Sequence, residues 1–173
     1  MRAGIALLTG ALLSLAATGA FADDCDARAA AVIKSRQTPH HTVTVMTGTD
    51  QAGQEKELSP SSETIFTGDT LFSRTGGESW KSKPSTPDDM AKGVAKSDGD
   101  DEVCSVSGSE ALGGETANIL DTHSTVGDML AEGRMWISQT SGLVLRTQVT
   151  LSKNGRAAKL VTTYDYQDIH APQ

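Results

Sequence analysis

The stretch LVLRTQVTLSKNGRAAKLVTTYDYQ, residues 143–167, decides the fold. At its centre stands Asn154-Gly155, a dipeptide preferred in two-residue type I′ turns because both positions take positive φ. Folding the chain there fixes a register. Val149 meets Leu160, Thr147 meets Thr162, Leu151 meets Ala158, Leu145 meets Tyr164 and Leu143 meets Tyr166. The other partners are Thr150/Lys159, Gln148/Val161, Arg146/Thr163 and Val144/Asp165. One face is apolar and the other mostly polar, and a one-residue slip would exchange them. The pair therefore belongs to an antiparallel sheet with one packed and one largely wet face.

Working outward, Gly133–Ser138 reads as a further strand, with weaker ones over Val103–Ser107 and Ala117–His123. Glu63–Arg74 is a second hairpin, turning at Gly68-Asp69 and setting Phe66 against Leu71, Ile65 against Phe72 and Glu63 against Arg74. Thr75-Gly76-Gly77 turns again toward a strand at Ser79-Trp80-Lys81, and Thr42–Thr47 alternates as a strand of its own. Gly48–Pro60 is polar and reads as a loop. Ala-rich Asp26–Lys34 predicts a short helix. Thr86-Pro87-Asp88-Asp89 predicts another, with Thr86 as N-cap, Pro87 at the first position and two carboxylates at the positive end of the dipole. Met90 and Val94 would share a face of it. Ser97–Glu102 is an acidic loop without the ligand spacing of an EF-hand. About eight strands with hairpin spacing and two short helices make an α+β domain, an antiparallel sheet with helices on one face.

Met1–Ala22 has the parts of a secretory signal: Arg2, an apolar run from Ile5 to Ala17, and Ala20-Phe21-Ala22 as an A-x-A cleavage site. The run is too short to span a bilayer, which takes ~20 apolar residues. The expectation is an exported chain beginning at Asp23, with residues 23–173 as one domain, in the periplasm or secreted and not membrane-spanning. Cys25 and Cys104 are the only cysteines. Oxidising compartments favour a disulfide between them, and two thiols allow one pairing. The formal charge of −7 argues against nucleic acid and anionic membrane surfaces as partners.

Several segments resemble one family. Gly133-Arg134-Met135-Trp136-Ile137-Ser138, followed by Thr140-Ser141-Gly142-Leu143-Val144-Leu145-Arg146, is similar to the "WI-x-x-x-(S/T)-GLPLR" hairpin of LolA/LolB-like and LppX-like periplasmic carriers. Thr162-Thr163-Tyr164-Asp165-Tyr166 resembles their last strand, and Glu63–Trp80 their "I-x-x-G-(D/N)-x-x-(Y/F)…GG-x-W" meander. Val144 stands where that family has Pro. The resemblance implies a strongly curved, unclosed β-barrel with short helices on its concave face. It also implies a lipid, acyl chain or lipoprotein held between sheet and helices. No residue here matches the family's gating arginine.

The residues offer little catalytic chemistry. Of the four histidines only His40 and His41 are close in sequence, and strand neighbours point to opposite faces, so no metal site is expected. No G-x-S-x-G elbow and no phosphate-binding glycine motif occurs. The expectation is a protein that is not an enzyme and carries no cofactor. Trp80 and Trp136 read either as core or as cavity wall. The candidate wall comprises Val43, Val45, Ile65, Phe72, Trp80, Trp136, Leu143, Leu145, Val149, Leu160 and Tyr164, with Trp136 opposite Leu145. Two functional readings are open. One is a carrier or binding protein for an apolar ligand such as an acyl chain, lipid or lipoprotein anchor. The other is a non-enzymatic envelope scaffold with a filled core that meets a protein partner.

Overall fold

The computed structural model describes residues 24–49, 54–92, 94 and 102–173. The leader and residues 97–101 of the acidic loop lie outside the described residues. The elements are α1 (Asp24–Gln37), β1 (His40–Thr49), β2 (Glu55–Phe66), β3 (Thr70–Thr75), β4 (Lys81–Pro84), α2 (Pro87–Ala91), β5 (Val103–Leu112), β6 (Glu115–Val126), β7 (Met129–Ser138), β8 (Val144–Lys153) and β9 (Arg156–Asp165). The strands form one open, curved sheet in the order β4-β3-β2-β1-β9-β8-β7-β6-β5, with every neighbour antiparallel.

The β8–β9 hairpin has the register its sequence dictates, from Lys153↔Arg156 to Arg146↔Thr163. Asn154 and Gly155 take φ of 50° and 74°, as a type I′ turn requires. The β2–β3 register also holds, with Ile65↔Phe72 and Glu63↔Arg74. Thr86 caps α2 in a full capping box with Asp89. That helix stops at Ala91, so Val94 lies beyond it.

Three expectations are corrected. β2 begins at Glu55, inside the stretch read as a loop, because β1 offers a ladder that polar residues can join. Two irregularities in that ladder absorb the misfit, and one leaves Leu58 as an extra residue between Ser59↔Met46 and Glu57↔Thr47. The fourth strand runs from Lys81, two residues later than read, and Trp80 precedes it. The largest correction lies between β7 and β8. Trp136 pairs with Arg146 and Ile137 with Val144, so Leu145 is the extra residue of a bulge. Trp136 does not face Leu145, and the β8–β9 ladder ends before the expected Val144/Asp165, Leu145/Tyr164 and Leu143/Tyr166 pairs.

Directly opposed residues share a face, so register sorts the side chains. The inner face, on which α1 packs, carries Met46, Gly48, Leu120, Met135, Val149, Leu151, Ala158, Leu160 and Tyr164. The outer face carries Val43, Val45, Ile65, Phe72, Trp136, Arg146 and Val161.

α1 is Ala-rich, with Asp24 and Asp26 in its first turn and Lys34 and Arg36 in its last, matching the helix dipole. Ala31 sinks into a core cluster with Met135 and Val144, flanked by Val32, Ile137 and Tyr164. Both ends are fastened. Cys25 is bridged to Cys104 across 79 residues, Arg28 pairs with Glu102 at 3.0 Å, and the Val106 N–H donates to Asp24 Oδ2. At the other end Lys34 Nζ donates to the Ser141 carbonyl. Buried Ser35 donates to the Ala31 carbonyl at 2.7 Å and accepts from the Val144 N–H at 2.8 Å. A proline at 144, the residue of the resembling family, has no N–H to give.

Candidate functional site: the inner face of the sheet

The inner face is closed at one end and open at the other. At the closed end His40 is buried among Phe66, Tyr164 and Tyr166, with ring centroids 5.9, 6.1 and 6.3 Å away. Tyr164 and Tyr166 stack at 6.2 Å, and the Tyr166 hydroxyl donates to the Val144 carbonyl. Burial pushes both tyrosine hydroxyls up in pKa and holds the His40 imidazole below its ordinary value. The neutral ring then donates from Nδ1 to the Thr38 carbonyl at 2.7 Å. Beneath α1 a small apolar space of about 300 Å³ remains, because Ala27, Ala30 and Ala31 are too short to reach Leu120 and Val106.

The open end lies along the far halves of β1, β8 and β9. A trough of about 750 Å³ runs there over Gly48, Leu58, Met129, Leu151, Ala157 and Ala158, ending at the tip of the β8–β9 hairpin. Its floor is apolar, and among the described residues no helix covers it. The extra residue Leu58 bends over Gly48, where a Cβ would stand 2.5 Å from Leu58 Cδ1, so a larger residue would turn the Leu58 side chain aside. Leu58 remains 48% exposed. Between the two ends Met46, Val149 and Leu160 are half-buried on the same face.

The structure does not gather the residues of the candidate wall on one surface. Val149, Leu160 and Tyr164 are on the inner face. Val43, Val45, Ile65, Phe72 and Trp136 are on the outer face. Trp80 lies under the Arg74 guanidinium, 4.5 Å from its ring, and Arg74 is also bound to Glu63 at 2.8 Å. Leu143 is in the connection before β8, its carbonyl accepting from the Ser138 N–H. Leu145, displaced by the bulge, lines a separate outer pocket of about 380 Å³ with Arg146 and Asp165. Trp136 is 5% exposed, donates from Nε1 to Glu110 at 2.6 Å and lies 5.0 Å beneath the Arg146 guanidinium. It is outer-face packing and not a wall of the helix–sheet space.

His40 and His41 point to opposite faces, as neighbours in a strand must. His41 is 3.4 Å from Glu63 on the outer side. Among the described residues Cys25, Glu102 and Cys104 form the one grouping of metal-ligating types, and its two sulfurs are bonded to each other. Sequence reasoning missed the trough. Its one usable signal was the polar stretch 48–60, interrupted by a single Leu58, next to a glycine in a strand pattern.

No family model matches this chain, and no curated protein matches its sequence. Solved structures do. The Mycobacterium tuberculosis lipoprotein LppX is 11% identical, with a TM-score of 0.48 over 86% of this chain and 97% of that one. LprF from Mycobacterium bovis is 13% identical, with a TM-score of 0.41 over 87% and 96%. A LolA-superfamily protein from Nitrosomonas europaea is 10% identical, with a TM-score of 0.26 over 84% and 94%. No helix among the described residues is long and apolar enough to cross a membrane.

Proposed function

We propose that this protein is an exported, periplasmic carrier or binding protein for an apolar ligand, an acyl chain, lipid or lipoprotein anchor, held on the inner face of the sheet. The observation that carries the reading is the apolar trough of about 750 Å³ that neither described helix covers. Its size falls within the ~300–1,000 Å³ common to small-molecule sites. Water against Leu58, Leu151 and Ala158 costs free energy that an aliphatic chain would recover on binding. The disulfide fits an oxidising compartment. The filled-core scaffold reading suits the closed end, where Phe66, Leu120 and Val144 are all but fully buried.

The test is made at Ala158. A neutral solvatochromic dye such as Nile red should bind the native protein with a blue shift. Ala158→Trp, which fills the trough floor, should abolish that binding while the melting transition stays cooperative. Native protein that ignores the dye would overturn the carrier reading.

A further inference from the structure

One pair of residues breaks the charge pattern of the sheet. Arg74 lies opposite Glu63 and Arg134 opposite Asp121, each a cation facing an acid. Lys153 lies opposite Arg156. Among the described residues this is the one directly opposed pair of like charges in the ladders. Like charges facing across a ladder destabilise it, and the Asn154-Gly155 turn between them needs neither. By alternation from Leu151 and Ala158 both belong to the inner face, and both line the rim of the apolar trough. Lys153 is neutralised by Asp128, Nζ to Oδ2 at 2.5 Å. Arg156 has no carboxylate within ion-pair distance among the described residues. Lys56, opposite Gly48, adds a third cation on the same face. This clustering occurs in a chain of formal charge −7.

We propose that the occupant of the trough is a single-chain amphiphile with an anionic head. The tail lies over Leu58, Leu151 and Ala158, and the head is held at the hairpin tip by Arg156, with Lys153 beside it. The inference rests on the carrier reading and adds the class of head group. Arginine suits the role because its planar fork meets a carboxylate or a phosphate monoester with two parallel hydrogen bonds. An anionic head also gives Arg156 a counter-charge.

Displacement of Nile red from the whole exported protein, at low ionic strength, tests it with three probes of equal tail length: hexadecanoate, hexadecyl phosphate and hexadecanol. At least one anionic probe should displace the dye at about fivefold lower concentration than the alcohol, the scale of one partly exposed ion pair. The two anionic arms tell a carboxylate from a phosphate. The gap should close in Arg156→Gln and shrink in high salt. Equal displacement by all three probes, or a gap that survives in Arg156→Gln, would overturn the head-group proposal and leave the carrier reading standing. Failure of every probe to displace the dye overturns both.

Discussion

The two ends of the inner face are built from the same alternation yet behave differently. Near α1 the rings of Phe66 and His40 and the side chain of Val144 are closed off, and the helix is fastened through Cys25, Arg28, Lys34 and Ser35. Toward the β8–β9 tip Leu58, Leu151 and Ala158 continue the apolar stripe beyond both described helices. The difference is one of cover. A helix of 14 residues extends only about 21 Å, and α2 is a single short turn capped on polar residues. A face longer than its cover is what a binding surface needs, and a closed core is what stability needs. This molecule places them side by side on the same strands.

The sharpest way to break that contrast is to truncate one apolar side chain at each end. Phe66→Ala removes a fully buried ring and should cost ~3–5 kcal/mol. Leu58→Ala should cost well under about 1 kcal/mol, because a half-exposed side chain leaves no sealed cavity. Chemical denaturation of both variants reads the comparison directly. Similar losses at the two ends would mean that the trough is core and not a site.

Fastening is the next contrast. Ser35 gives its hydroxyl proton to α1 and takes the buried Val144 N–H. Ser35→Ala leaves that N–H without a partner, which costs ~1–3 kcal/mol. The loss should appear in equilibrium unfolding and not in dye binding, since the trough lies at the other end. A variant as stable as the native protein would show that water replaces the hydroxyl and that α1 is held mainly by its disulfide end.

Much of the fold was legible because hairpins are local. Asn154-Gly155 and Gly68-Asp69 carry their own register, and Thr86-Pro87 carries its own cap. The joins between hairpins were less legible. The bulge at Leu145 carries no turn residue, yet it exchanges the faces of Val144 and Leu145 and separates Trp136 from the helix side. That one extra residue misassigned several members of the candidate wall. The disulfide followed from thiol count and compartment. The trough did not, because it depends on which strands an Ala-rich helix of fixed length fails to cover. The aromatic nest around His40 was also hidden, since its members come from three distant points in the chain.

That nest provides the smallest of the expected effects, and it belongs to the closed end alone. His40 is 3% exposed. Burial, chiefly, and the neighbouring positive charges of Arg36 and His41 lower its pKa, outweighing the hydrogen bond to the Thr38 carbonyl, which raises it. The rings of Phe66, Tyr164 and Tyr166 face it and supply no carboxylate. Its folded pKa is therefore below the unfolded value of about 6.5. Above that value both states hold neutral imidazole and the contribution is complete. As pH falls from about 6.5 toward the folded pKa, the unfolded chain binds the proton first, so stability declines. Melting temperature should thus fall between pH 7.5 and pH 5.5, before most carboxylates titrate. In His40→Gln the same curve should be flatter, whatever the variant's absolute stability. If His40→Gln keeps the native slope, the acid sensitivity arises outside the closed end.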